Sequence, residues 1–195
     1  LPYLGSLGTP IVVSIAGCDY EDFVAMAARL DGQAGVAALE LNISCPNIKA
    51  GGIQFGRSLP GTFDVVSLVR KVTRLPLIPK LTPNVTSPAS FAIAAEEAGA
   101  DAVSLVNTFL AMVIDVEPRQ PKISNGVGGL SGPAIRPIAV RMVHECHRAV
   151  KIPVIGIVDS KRSVDMTKRL LEEIVRRQAQ FVIIDITGVE LVDTA

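Results

Sequence analysis

The chain has 195 residues, of which 49% are hydrophobic and only 4% are aromatic. Such a chain can bury one sizeable core and is not disordered, but it is short for a complete eight-stranded α/β barrel of about 250 residues. Nineteen basic residues balance nineteen acidic residues, so no net charge attracts nucleic acid or an anionic membrane.

Six short apolar runs predict the strands of the fold. They cover residues 10–16, 36–43, 76–81, 101–108, 152–158 and 181–186. Each run is rich in Val, Ile and Leu, as buried parallel strands are. Most of the intervening segments carry apolar residues at helical spacing. This alternation predicts an α/β fold of parallel βα units of TIM-barrel type, incomplete at about six strands and wound by right-handed crossovers.

Local signals support the predicted helices. Phe23, Met26, Ala27 and Leu30 recur at helical spacing. A helix start is indicated by Ser87 before a proline, and a helix end by Gly99.

Two connections, residues 44–61 and 109–133, exceed the usual length of a βα loop. The second contains a glycine-rich run at 126–132. Both follow the carboxyl ends of predicted strands, where α/β enzymes assemble their active sites. Their position alone makes them candidate functional loops.

Four polar residues interrupt the apolar strands near those same ends: Ser14, Asn42, Lys80 and Asn107. A lysine within a strand is costly to desolvate unless an anion or an acceptor receives it. Lys80 therefore either forms an internal ion pair with Glu40 or faces a ligand. The sequence leaves both interpretations open.

The three cysteines, Cys18, Cys45 and Cys146, stand at irregular spacing and predict no disulfide framework, which suits a reducing cytoplasm. The amides of Asn42 and Asn47 flank Cys45 and could hold a planar polar ligand. An isolated cysteine is nevertheless more often packing than catalyst.

His144, Cys146 and His147 are close in sequence, as metal ligands often are. Helical spacing, however, places Ile138 and Met142 on one face with Cys146 and turns the histidines elsewhere. Two or three open ligands without a further partner rarely hold zinc, so we predict no metal site.

No apolar run approaches the length of about 18 residues that indicates a membrane span, and no signal-peptide pattern opens the chain. We expect a cytoplasmic protein with neither membrane nor nucleic-acid partners. The first residue is Leu1 rather than Met, which suggests that the sequence belongs to a longer chain.

Four motifs occur in the order and spacing of one family: ELNISCPN at 40–47, PKLTPN at 79–84, VNT at 106–108 and GLSGP at 129–133. On these motifs, residues 4–156 resemble the class 1 dihydroorotate dehydrogenases. The similarity is greatest to the NAD-linked subclass, which passes electrons to an iron-sulfur flavoprotein partner. The resemblance implies an FMN-dependent oxidoreductase that converts dihydroorotate to orotate in pyrimidine biosynthesis.

The resemblance also implies a role for each matching residue. Cys45 would be the base that removes a proton from C5 of dihydroorotate, while the hydride at C6 passes to FMN. The implied substrate ligands are Asn42, Asn47, Asn107 and Thr108. The implied flavin contacts are Ser14, Asn42, Lys80, Val106 and Gly132. Among these, Lys80 would bring a cation to the flavin ring.

The sequence departs from the family at the phosphate of FMN. The family has a Gly-Gly turn that lets backbone amides approach this phosphate, whereas here the positions read Val158-Asp159. The glycine segment of the eighth strand and the family's amino-terminal region are also not recognisable. We therefore expect impaired FMN binding and little turnover.

Residues 157–195 resemble the first part of a STAS domain of the stressosome scaffold type, on the motifs VDSKRS at 158–163 and FVIIDITGV at 181–189. This resemblance implies phosphorylation at Ser160 and Thr194. The alternative is that Ser160 is only a helix N-cap and Thr194 only a terminal residue.

We predict two segments, a barrel segment at 1–156 and a STAS-like βαβ unit at 157–195 that continues the same sheet. The competing interpretation of the whole chain is a non-enzymatic chimera or scaffold that pairs with another copy of itself to cover exposed strand edges.

Overall fold

The computed structural model describes residues 6, 8–44 and 55–156. Its strands and α-helices, in chain order, are β1 (Ile11–Ile15), α1 (Tyr20–Leu30), β2 (Val36–Leu41), α2 (Leu59–Arg70), β3 (Leu77–Pro79), α3 (Pro88–Glu97), β4 (Val103–Ser104), β5 (Phe109–Ala111), β6 (Ile114–Asp115), β7 (Gln120–Pro121), β8 (Gly128–Leu130), α4 (Arg136–Ala149) and β9 (Val154–Ile155). Short 3-10 helices at Phe55–Arg57 and Pro133–Ile135 precede α2 and α4.

Parallel pairing joins β1 to β2, β2 to β3, and β4 to β9. A parallel bridge between Lys80 and Ser104 connects the two groups, so the strands follow one another as β1-β2-β3-β4-β9. Helices α1, α2 and α3 connect successive strands from β1 to β4. The predicted α/β fold of parallel βα units is therefore confirmed. The sixth predicted strand, 181–186, lies outside the described residues.

The predicted strand at 101–108 is too long, because regular pairing covers only Val103–Ser104. The ladder continues for one hydrogen bond, from Leu105 N to Ile155 O. Beyond it, Thr108 N donates to the side-chain Oδ1 of Asn107 at 2.8 Å. A side-chain amide that takes a backbone N–H in this way competes with strand pairing, so Thr108 N does not continue the ladder.

The core lies between the sheet and helices α1 to α3. Phe23, Leu39, Val65, Leu77 and Val103 are all fully buried there. Each such side chain contributes about 1.5–3 kcal/mol by leaving water, which explains why these short strands hold together.

Helix α3 follows Ser87 and ends before Gly99, which has φ = +97°. Both predicted boundaries are confirmed. The Ser87 hydroxyl accepts from Ser90 Oγ at 3.0 Å and makes no hydrogen bond with a backbone N–H of the helix. Ser87 therefore occupies the N-cap position, but its side chain does not cap the helix.

Helix α4 corrects one prediction about its buried face. Met142 and Cys146 are buried as expected, but Ile138 is 42% exposed and the neighbouring Ala139 is buried instead. The packed stripe runs through positions 139, 142 and 146, so it differs from the predicted face only in its first member. Burial raises the pKa of the Cys146 thiol to about 11, and among the described residues no group of three potential metal ligands lies together.

The connection at 109–133 was predicted as a loop, but it contains two antiparallel pairs, β5 with β8 and β6 with β7. Strands of two or three residues are too short to produce a recognisable periodicity. We call residues 109–132 the excursion. Within the described part of the chain, no helix combines the length and the apolar character needed to cross a membrane.

Candidate active site at the carboxyl ends of the strands

Glu40 on β2 joins residues from three other strand ends. Its Oε1 accepts a hydrogen bond from Ser14 Oγ on β1 at 3.0 Å, and its Oε2 accepts one from Ser104 Oγ on β4 at 3.0 Å. Lys80 Nζ, just after β3, lies 3.9 Å from Glu40 Oε1. We call these four residues the Glu40 cluster.

The two interpretations of Lys80 are compatible in this geometry. The structure shows the ion pair with Glu40, and both side chains are 21% exposed. A separation of 3.9 Å is longer than a hydrogen bond, so attraction between the charges holds the pair. An ammonium carries three N–H donors, so the ion pair leaves a ligand-facing role for Lys80 open.

A second group, the Ser44 cluster, links β2 to the end of β4. Asn107 Nδ2 donates to Ser44 Oγ at 2.8 Å, and Ser44 Oγ donates to Asn42 Oδ1 at 3.1 Å. Ser44 is buried. This chain of bonds fixes the planes of both amide groups, and no described residue accepts a hydrogen bond from Asn42 Nδ2. Sequence reasoning selected both asparagines but not the serine that joins them.

Asn84 positions the start of the excursion. Its Nδ2 donates to Thr108 O at 3.0 Å, and its Oδ1 accepts from Leu110 N at 2.9 Å. Its own backbone N–H donates to Thr82 Oγ1. Asn84 was not among the predicted site residues. It is the last residue of the motif at 79–84, and its place in that motif could have identified it.

The glycine-rich run meets Thr108 directly. A Cβ on Gly129 would lie 2.4 Å from Thr108 Oγ1, so only glycine fits. Gly132 has φ = +98° and precedes a 3-10 helix, while Val106 packs against the core. Among the described hydrogen bonds, none joins Val106 or Gly132 to the Glu40 or Ser44 clusters.

Four predicted site residues, Cys45, Asn47, Ser160 and Thr194, lie outside the described residues. The positions on either side of residues 45–54 are nevertheless in contact. Gly56 N donates to Ile43 O at 3.0 Å, and a Cβ at Gly56 would lie 2.5 Å from that oxygen. The neighbouring Phe55 is buried against the rings of Tyr20 and Phe23, so the described residues that flank this segment lie close together.

A sheet of parallel βα units with polar side chains gathered at the carboxyl ends of its strands defines an α/β protein, and such folds assemble their active sites at that edge of the sheet. The particular family follows from comparison with known proteins. The family model described as dihydroorotate dehydrogenase matches residues 5–166. The chain therefore belongs to the dihydroorotate dehydrogenase family of oxidoreductases, and the predicted resemblance is confirmed at that level.

Two relatives indicate the kind of family member to which the chain is similar. It is 56% identical over 157 residues to the dihydroorotate dehydrogenase B (NAD(+)) catalytic subunit of Desulforudis audaxviator, covering 80% of this chain and 51% of that protein. It is 54% identical over 157 residues to the protein of the same description in Geobacter sp. strain M21, covering 80% and 52%. The chain thus spans about half the length of the curated relatives it matches.

Solved structures agree on the fold. The dihydroorotate dehydrogenase of Eimeria tenella in complex with ferulenol matches with a TM-score of 0.55 and 17% identity, over 71% of this chain and 42% of that one. The ligand-free form matches with a TM-score of 0.51 and 19% identity, over 70% and 44%. At these identities the likeness concerns the fold alone.

Proposed function

We propose that this chain carries the flavin-facing and substrate-facing residues of an NAD-linked dihydroorotate dehydrogenase, which oxidises dihydroorotate to orotate with FMN in pyrimidine biosynthesis. The observation that carries the proposal is the presence of two polar clusters at the carboxyl ends of β1 to β4. Together they present a cation, hydroxyls and oriented amides on one edge of the sheet.

The donor set suits a flavin ring. FMN, when bound, supplies the acceptor for the hydride of the substrate. Lys80 supplies positive charge, which favours the negative charge that a flavin ring gains on reduction, and Ser14 and Asn42 supply hydrogen-bonding groups beside it. By family correspondence, Val106 and Gly132 complete the contacts with the ring.

A similar match between hydrogen-bonding groups and ligand supports the proposed substrate residues. Dihydroorotate carries a carboxylate and a polar pyrimidine edge, which need donors and acceptors in fixed planes. Asn42 and Asn107 have their amide planes fixed through Ser44, and Asn47 and Thr108 extend the set by family correspondence. Cys45, which directly follows the buried Ser44 in the chain, is the proposed base that takes the C5 proton.

The phosphate end of FMN is where we propose that function is impaired. Val158-Asp159 replaces two glycines, and a carboxylate repels a phosphate dianion. Side chains in place of glycines would also hinder a close approach of backbone amides to the phosphate. We therefore propose weak FMN binding and little turnover by the chain as it stands.

Partners and location remain proposals as well. The relatives are described as catalytic subunits, which supports an electron-transfer partner subunit of the iron-sulfur flavoprotein kind for this chain. A cytoplasmic location and self-association are likewise proposed, with no nucleic-acid or membrane partner.

The STAS-like segment at 157–195 and its phosphosites Ser160 and Thr194 rest on sequence motifs alone. The family match extends to residue 166 and so overlaps the first part of that segment, residues 157–166. We keep the STAS-like unit, the division at residue 156 and the scaffold interpretation as predictions, and we base the function on the dehydrogenase family.

The first test concerns FMN. Titration of the purified chain with FMN, monitored by flavin fluorescence, should show weak binding. The double variant Val158→Gly/Asp159→Gly should bind FMN more tightly. The matched control Lys161→Gly/Arg162→Gly alters two neighbouring residues without restoring the Gly-Gly turn. Equal affinity of the wild type and the glycine variant would refute the impaired phosphate site, and no binding by either would refute FMN as the cofactor.

The second test concerns Cys45. In the glycine variant, anaerobic dihydroorotate should bleach the flavin absorbance, and Cys45→Ser should slow the bleaching by about 100-fold or more, the contribution typical of a positioned base. Its FMN affinity should barely change. Cys18→Ser is the matched control, because Cys18 is an exposed free cysteine in a different connection, the one between β1 and α1. Bleaching at an unchanged rate in Cys45→Ser would remove this residue from the mechanism.

A further inference from the structure

Glu40 is not among the residues assigned above to substrate or flavin, yet it has more partners from other strands than any other residue of the Glu40 cluster. We propose that Glu40 is a positioning residue that holds Lys80 at the flavin-facing edge and offsets part of its charge. The part of this inference that concerns flavin rests on the proposed function. The part that concerns Lys80 rests on the geometry of the chain alone.

The strand register brings the four residues together. Ser14 and Glu40 are direct partners between β1 and β2, and Lys80 and Ser104 are direct partners between β3 and β4. Glu40 therefore reaches hydroxyls on both sides of β3. Because each of its oxygens accepts one of these hydroxyls at 3.0 Å, the carboxylate has a fixed orientation.

That orientation matters for the lysine. The oxygen bound to Ser14 is also the one that lies 3.9 Å from Lys80 Nζ. A glutamine at this position has the same shape but presents one oxygen acceptor and one N–H donor, and it carries no charge. It could not attract the ammonium as the carboxylate does, and one serine hydroxyl would have to turn its proton away.

The charge balance has a consequence for a bound flavin. A cation beside the ring favours the reduced form, which carries more negative charge, and a carboxylate 3.9 Å from that cation opposes the effect. Glu40→Gln removes the negative charge and keeps the side-chain volume. We expect the midpoint potential of bound FMN to shift to a more positive value.

The first experiment needs no flavin. The chain is treated briefly with acetic anhydride, and acetylation of Lys80 is followed by mass spectrometry relative to the exposed Lys71 and Lys151 in the same sample. Glu40→Gln should raise the relative labelling of Lys80 severalfold, because the amine is no longer held against the carboxylate. Glu97→Gln, an exposed acid on α3, is the control and should leave the ratio unchanged. Unchanged Lys80 labelling in Glu40→Gln would overturn the inference.

The second experiment measures the midpoint potential of FMN in the Val158→Gly/Asp159→Gly background, with and without Glu40→Gln. Ser104→Ala removes one hydrogen bond to Glu40 but keeps the charge of the carboxylate. The shift in midpoint potential should therefore be smaller in Ser104→Ala than in Glu40→Gln. A loss of thermal stability with no change in potential would show a purely structural role and overturn the inference. Absence of FMN binding would defeat the proposed function, while the labelling result would still decide whether Glu40 positions Lys80.

Discussion

The central strands β2, β3 and β4 of the parallel sheet and the excursion at 109–132 expose their apolar residues to very different degrees. Leu39, Leu77 and Val103 in the sheet are fully buried, whereas Met112 is 49% exposed and Val116 is 83% exposed. These central strands are covered by helices, so burial dictates their sequence, whereas Val12 in β1 and Ile155 in β9 are about half exposed. The excursion has no such cover among the described residues, and its antiparallel pairs are only two or three residues long.

This difference shows which interactions hold each region in place. The sheet is held by its own core, but the excursion is held at its base by a few specific contacts. These are the hydrogen bonds of Asn84 to Thr108 and Leu110, and the close approach of Gly129 to Thr108. The proposed substrate residues Asn107 and Thr108 lie at the junction, so both regions determine their placement.

The largest difference in stability should appear when the same type of substitution, valine to alanine, is made once in each region. Val103→Ala removes two buried methyl groups from β4 and should lower the free energy of unfolding by about 2 kcal/mol, including the cavity it leaves. Val116→Ala in the excursion should change it by less than about 0.5 kcal/mol. Urea denaturation measures both. If Val116→Ala proved as costly as Val103→Ala, the contrast between the regions would be wrong.

A smaller effect is expected at the junction itself. Gly129→Ala places a Cβ on the Thr108 side chain and should cost about 1–2 kcal/mol as β5 and β8 move apart. Hydrogen exchange should show the loss of protection confined to these two strands. Thr108→Gly removes all three atoms that the new Cβ would meet, so the added cost of Gly129→Ala should shrink in that background. An equal cost in both backgrounds would mean that Thr108 is not the obstacle.

The sheet and the polar residues of the site could be predicted from the sequence because each leaves a local signal. A buried parallel strand is a continuous apolar run, and a polar residue such as Lys80 or Asn107 stands out within it. The excursion leaves no such signal. Phe109 pairs with Leu130, 21 positions further along the chain, and strands of two or three residues are too short to show a repeating pattern.

The hydrogen bonds that join the site residues could not be predicted from the sequence either. Ser44 reads as an ordinary loop residue, and nothing local indicates that it joins Asn42 to Asn107, 63 positions away from Ser44. Glu40 was selected as the partner of Lys80, but its bonds to Ser14 and Ser104 depend on the register of four strands. Such contacts follow from tertiary structure, which one sequence does not specify residue by residue.

The smallest effect tests the opposite, amino-terminal end of the sheet. Asp31 after α1 accepts hydrogen bonds from Thr73 Oγ1 and from Arg74 N. These bonds lower the pKa of Asp31 below its ordinary value of 3.8. Because the folded pKa is the lower one, ionised Asp31 stabilises the fold above pH 3.8, and this contribution disappears as the pH falls through the folded pKa.

The stability difference between the wild type and Asp31→Asn should therefore narrow as the pH is lowered from neutral to below 3.8. Urea midpoints at a series of pH values measure it, and Asp64→Asn, an exposed acid on α2, serves as the control. A difference that stays constant over this range would show that the charge of Asp31 adds nothing. In that case the link between α1 and the segment before β3 would depend on hydrogen-bond geometry that asparagine can reproduce.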